Sequence, residues 1–148
     1  MSVATEAAQI RDLFSAIEEI EEVASSMAAD DERRQKLVGV VKRTLSQAPP
    51  VRPVVASELL DLTEKTVKAW AREGVLQIHS QEPRMLLDTV RLHEVLHLVS
   101  DLRRAGKNRG LLDEVHRRLS DQSLLDRPDL ATSLDEMRSG KGRVVRSA

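Results

Sequence analysis

At 148 residues the chain fits one domain, or a small domain with helical extensions. It has no Cys, which excludes a disulfide framework, thiol catalysis and cysteine-based zinc sites, and with one Trp, one Phe and no Tyr its core must be aliphatic. The net charge of −1 hides a division: residues 1–32 carry nine Asp/Glu against one Arg, whereas residues 33–148 carry 22 Lys/Arg against 15 Asp/Glu. A mildly basic body behind an acidic leader suits contact with an anionic polymer, or packing of the leader onto the body or another subunit.

The first helix is expected over residues 5–29. Ile10, Leu13, Ile17, Ile20, Ala24 and Met27 recur at alternating spacings of three and four, a heptad-like seam with Glu18, Glu19, Glu21 and Glu22 off it. Such an acidic helix is repelled by phosphate, so its seam asks for a protein surface: the chain's own body, a second copy or a different partner. Asp30 and Asp31 break and cap, and a second helix is expected over 31–46 with Leu37, Val38, Val41 and Leu45 as its apolar face. Gly39 weakens it by about 1 kcal/mol relative to Ala. The prolines of residues 48–53 then read as a linker or boundary, with Val54 and Val55 leaving it in extended form.

Residues 55–76, VASELLDLTEKTVKAWAREGVL, read as two short helices around a tight turn. Ala56, Leu59 and Leu60 stripe the first, and Thr63 offers a side-chain oxygen to cap the second. Val67, Trp70 and Ala71 face inward at helical spacing, which turns Lys65, Thr66, Lys68, Ala69 and Arg72 toward solvent or a partner. Gly74 supplies the left-handed conformation that a helix end often takes. This is a helix-turn-helix pattern, whose second helix enters a DNA major groove.

The run Thr63, Thr66, Val67, Lys68, Trp70 followed by Arg72-Glu73-Gly74-Val75-Leu76 resembles the MerR-like and excisionase-like winged helix-turn-helix proteins. With a wing included, the likeness covers about a quarter to a third of the chain. It implies a mainly α fold, a winged helix-turn-helix with a small two-stranded wing and additional N- and C-terminal helices. The alternation of Val75-Leu76-Gln77-Ile78-His79 is the expected first wing strand, Ser80 to Pro83 the turn, and Met85-Leu86-Leu87 the returning strand. Arg84 stands where the resemblance implies an arginine that reaches phosphate or the minor groove. The chain departs from that pattern in having neither a glycine nor an aromatic residue in the wing.

Asp88 and Thr89 cap a helix expected over 90–105, with Leu92, Val95, Leu96, Val99 and Leu102 on one face. Gly106 ends it, and a further helix over 111–120 buries Leu111, Leu112, Val115 and Leu119. This hairpin completes the core beneath the wing, or supplies a dimer surface as C-terminal helices do in the proteins it resembles. A short helix is expected around 129–138, followed by the basic, glycine-containing end Ser139 to Arg146. That ending resembles the toxin-binding ends of bacterial antitoxins.

The domain reading is therefore 1–47, an acidic then basic helical region; 48–53, the linker; 54–120, the winged helix-turn-helix domain; and 121–148, the tail. Lys65, Thr66, Lys68, Ala69 and Arg72 are the expected groove contacts, with Arg52 and Arg84 reaching backbone on either side. The function expected is sequence-specific DNA binding by a transcriptional regulator, with autoregulation of its own operon as one use. The partners are double-stranded DNA and a second copy of the chain. The alternative is an antitoxin-like protein that binds and neutralises a partner protein through its C-terminal tail. The N-terminal acidic helix is a second candidate surface for a protein partner.

No enzymatic constellation stands out, and no cofactor is expected. One motif competes: His93-Glu94-Val95-Leu96-His97 has the spelling of zinc metalloprotease helices, with Asp101 one turn on. Zinc binding through His93 and His97 is the minor alternative. No uninterrupted apolar run is long enough for a bilayer, and the start lacks a secretory pattern, so a cytoplasmic protein is expected.

Overall fold

Helix formation starts at a cap. In the computed structural model, which describes residues 2–125, the Ser2 hydroxyl accepts the Thr5 N–H and opens α1 (Val3–Ser25). Its buried side is Ala7, Ile10, Phe14, Ile17 and Ala24. The seam thus differs from the expected one: Phe14 takes its centre at 3% exposure, while Leu13 and Ile20 flank it partly buried. A bulky ring fills a gap between helices better than an aliphatic chain does, and a 3.6-residue turn need not keep to a strict heptad. Helix α1 also ends before the expected residue 29, where the Ser26 hydroxyl donates to the Val23 carbonyl. The seam's partner is the chain's own body, because α1 packs on α2 (Glu32–Gln47) and α3 (Pro53–Leu60).

The Asp31 carboxylate accepts the Arg33 N–H and caps α2, which buries Val41 and Leu45. Val38, expected on that face, is 39% exposed. The proline stretch that follows is not a free tether. Val51 is buried and exchanges both backbone hydrogen bonds with Leu87, at 2.9 and 2.7 Å. The Pro49 carbonyl accepts the Thr89 hydroxyl at 2.6 Å. Pro53 then occupies the start of α3, so Val54 and Val55 are helical rather than extended. Proline suits that place because its φ is already helical and its missing N–H would have had no partner inside the helix.

Asp61, at φ 54° and ψ 49°, ends α3 in the left-handed region. Thr63 then opens α4 (Glu64–Arg72), and Gly74 at φ 84° turns the chain out of it. The strand expected from Val75 begins later. The N–H groups of Val75 and Leu76 still donate to the Trp70 carbonyl, and both side chains are buried, so this segment closes α4 and cannot join a ladder. The sheet is β1 (Ile78–Ser80) antiparallel to β2 (Leu86–Leu87), pairing Ile78 with Leu87 and Ser80 with Leu86 across an irregularity.

Helix α5 (Thr89–Arg104) is capped by Asp88, whose carboxylate accepts the Arg91 N–H. It buries Leu92, Val95, Leu98, Val99 and Leu102, and also His93, while Leu96 is only partly buried. Helix α6 (Leu111–Leu125) runs beyond the expected residue 120, with Leu111 and Val115 in the core. Among the described residues the architecture is therefore six helices and one two-stranded antiparallel sheet. One apolar cluster gathers residues from both sides of the 48–53 stretch, from Ile10 and Ile17 to Leu60, Val67, Leu92 and Val115. No described helix is long and apolar enough to cross a membrane. The expected 129–138 helix and the antitoxin-like ending lie outside the described residues.

Candidate nucleic-acid interface

Helix α4 is only nine residues long, too short to hold itself in water, so its orientation comes from its caps and its buried side. Thr63 Oγ1 accepts the Thr66 N–H at 3.1 Å and donates to Thr66 Oγ1 at 2.8 Å. The Thr66 hydroxyl therefore keeps its own proton for another acceptor. Val67, Trp70 and Ala71 are buried, Trp70 to 4% exposure.

Three contacts from later in the chain hold the backbone around α4. The Arg103 guanidinium on α5 donates to the Leu60 carbonyl at 2.6 Å and to the Asp61 carbonyl at 3.1 Å. It thereby satisfies carbonyls at the end of α3, where a helix leaves them unpaired. His116 on α6 places Nε2 3.1 Å from the Glu73 carbonyl, and since a carbonyl only accepts, that nitrogen carries the proton. Arg91 donates to the Val75 carbonyl at 3.4 Å. None of these three was singled out from the sequence. Each lies 16 to 43 residues from its partner, and no local periodicity encodes such a meeting.

The outward residues fall where the helical spacing predicts. Lys65 and Arg72 are exposed, and Thr66, Lys68 and Ala69 are half-buried at the edges of the face. Arg84, in the turn between the strands, is exposed and shares a 220 Å³ groove with Lys68, Arg52, Val54, Met85 and Glu64. The hairpin is thus brought alongside α4, and Arg52, Lys68 and Arg84 line one depression.

Two carboxylates temper this patch. Glu64 Oε1 is 3.4 Å from Lys68 Nζ, an i,i+4 pair, and Glu64 also lies in the first turn where a negative charge favours the helix dipole. Arg52 donates to Glu6 of α1, and its own Nε is buried without a partner. Of the seven expected contacts, Arg52 and Lys68 are thus each engaged by an anion among the described residues, Arg52 more deeply than the exposed Lys68–Glu64 pair.

Comparison with family models, with curated proteins and with solved structures finds no match to this chain. Its chemistry is carried by the geometry alone.

The histidine pair stands apart from that groove. His93 is 4% exposed, with its ring edge-on to Phe14 at 4.8 Å between centroids. Burial first, and then the neighbouring His97, push its pKa down to about 4, so its imidazole is neutral near pH 7. Asp101, the ligand considered from the sequence, is absent from the tight cluster around the rings. Glu18 of α1 stands there instead.

Proposed function

We propose that the chain is a sequence-specific DNA-binding transcriptional regulator, with α3 and α4 as a helix-turn-helix and the β1–β2 hairpin as its wing. The observation that carries this reading is the division of α4: Val67, Trp70 and Ala71 are locked inward, while Lys65, Thr66, Lys68, Ala69 and Arg72 remain on the open side beside Arg84.

In this reading α4 enters the major groove by its open face. Lys65, Lys68 and Arg72 present donors to guanine O6 and N7 or to phosphate oxygens, as lysine and arginine do on B-form DNA. Thr66 turns its free hydroxyl proton to a phosphate, and the Ala69 side chain is small enough for close approach or for contact with a thymine methyl. Arg84 reaches backbone from the wing. Arg103 and His116 do not read bases; they hold the two ends of the unit at a fixed angle. Lys68 must exchange Glu64 for its DNA partner, which makes binding weaker than its count of cations implies. A reader of this size has a small footprint, so useful specificity calls for two copies on adjacent half-sites.

The test is fluorescence anisotropy with promoter-derived and random duplexes at several salt concentrations. Lys68→Ala and Arg72→Ala should each weaken binding by about tenfold and flatten the salt dependence, with helical content retained. Unchanged affinity in both variants at every salt concentration defeats the assignment.

A further inference from the structure

Two histidines at i,i+4 on α5 project to one side, and two glutamates at i,i+3 on α1, Glu18 and Glu21, project toward them. The Nε2 atoms of His93 and His97 are 3.1 Å apart. His97 Nε2 is 3.6 Å from Glu18 Oε1, and Glu21 Oε1 is 3.9 Å from both ring nitrogens. The donor atoms of Glu18, His93 and His97 all lie within 4.8 Å of one another.

We propose that Glu18, His93 and His97, with Glu21 closing the fourth position, bind one divalent transition-metal ion of the zinc class and so fasten α1 to α5. Bonds of about 2.0–2.1 Å around a tetrahedral zinc ion put neighbouring donors about 3.3 Å apart. The ring-to-ring distance already meets that spacing. The carboxylates lie further out, Glu18 at 3.6 Å from His97 and Glu21 at 3.9 Å from each ring, within a cluster that spans up to 4.8 Å. They close in by rotation of their exposed side chains. Two imidazole nitrogens with carboxylate oxygens form a borderline donor set, which suits zinc, cobalt or nickel better than calcium or magnesium.

The surroundings separate the roles of the ligands. His93 is fixed between Phe14 and the core, so one donor is pre-positioned before an ion arrives. His97 and Glu18 are half-exposed and line a 480 Å³ cleft with Glu21, Glu22, Asp101 and Arg104, in which four carboxylates face one guanidinium and favour a hydrated cation. The sequence spelling that resembles a protease helix is thus completed from α1, 72 residues or more earlier in the chain, and not from further along α5. Glu94, the base of that spelling, is exposed and opens on a second cavity, which His93 and Glu21 also line together with Lys42 and Val90. The site is proposed for metal binding and carries no hydrolytic step.

Without a metal, the same geometry is a single N–H···N bond between the rings, with the carboxylates nearby as ordinary acceptors. The two descriptions differ in what the protein takes up. Tag-free full-length protein, stripped with chelator, is titrated with Zn²⁺ by calorimetry and with Co²⁺ by visible absorption. The expected result is one ion per chain, a four-coordinate cobalt spectrum and a higher melting temperature with zinc. His97→Ala and Glu18→Gln, which change half-exposed side chains, should each weaken uptake by at least about tenfold while circular dichroism stays as in the parent. Saturation with unaltered affinity in both variants, or no zinc uptake by the parent, overturns the site. The readout does not involve DNA, so it succeeds or fails independently of the proposed regulator.

Discussion

Helices α1 and α4 are both amphipathic, yet they are held in opposite ways. Helix α1 runs over 23 residues and is fixed by a long series of modest contacts, with Phe14 at its middle. Helix α4 has nine residues and depends on Trp70, a Thr63 cap and backbone ties supplied by Arg103 and His116. Their outer faces differ in sign as well. Three of the five glutamates of α1 are turned to cations or imidazoles within the chain, Glu6 to Arg52 and Glu18 and Glu21 to the histidine pair. The lysines and arginine of α4 meet few internal anions, Glu64 being the one beside Lys68. A charge division along the chain thus becomes partial neutralisation at α1 and a retained positive face at α4. The long helix is bound into the core along its length; the short one keeps its cationic side open.

That contrast can be broken most sharply at the two aromatic anchors. Trp70→Ala and Phe14→Ala should each cost about 3–5 kcal/mol in denaturant unfolding, because both remove a buried ring and leave a cavity. Their effect on DNA should differ. Below the melting temperature, Trp70→Ala is expected to abolish binding and Phe14→Ala to leave it within about twofold. Equal loss in both would mean that α1 and α4 act as one unit.

Next in size is Arg103→Met, which keeps the apolar stem and removes the donors to Leu60 and Asp61. A loss of roughly 1–3 kcal/mol is expected for the carbonyls left without their partner, together with weaker DNA binding although no groove residue has changed. Unaltered binding in a destabilised protein would show that the α3–α4 angle does not depend on this tie.

The smallest effect sharpens the electrostatic half of the contrast. Glu64→Gln releases Lys68 and should raise DNA affinity by about two- to five-fold, as expected for an exposed pair, with a steeper salt dependence. Weaker binding would place Glu64 among the groups that contact DNA, for instance by accepting from a cytosine amino group.

Much of α4 was legible in advance because its signals are local. Thr63 to Gly74 carries its cap, its inward triad and its terminating glycine within a dozen residues, and the structure sets each where the spacing predicts. The neighbouring elements were less legible. Pro53 reads as a helix breaker, but whether a proline breaks a helix or begins one depends on what precedes it. Val75 and Leu76 alternate like a strand and instead close α4, because the backbone groups that a ladder needs are already bonded to Trp70. From the sequence His93 stands out only for its spacing to His97, which does not say whether it is buried. Its burial depends on Phe14, a residue on a helix almost 80 positions away.

By itself, the sequence determined most of the helices, the caps at Asp31, Thr63 and Asp88, the aliphatic nature of the core and the face that α4 turns outward. These follow from periodicity and from side chains that bond their near neighbours. Tertiary structure alone decided that Arg52 meets Glu6, that Val51 pairs with Leu87, that Arg103 and His116 hold the ends of the α3–α4 unit, and that Glu18 joins His93 and His97. Each of those meetings joins residues from distant parts of the chain, and their distance in space is set by how the helices pack, which no window of sequence contains.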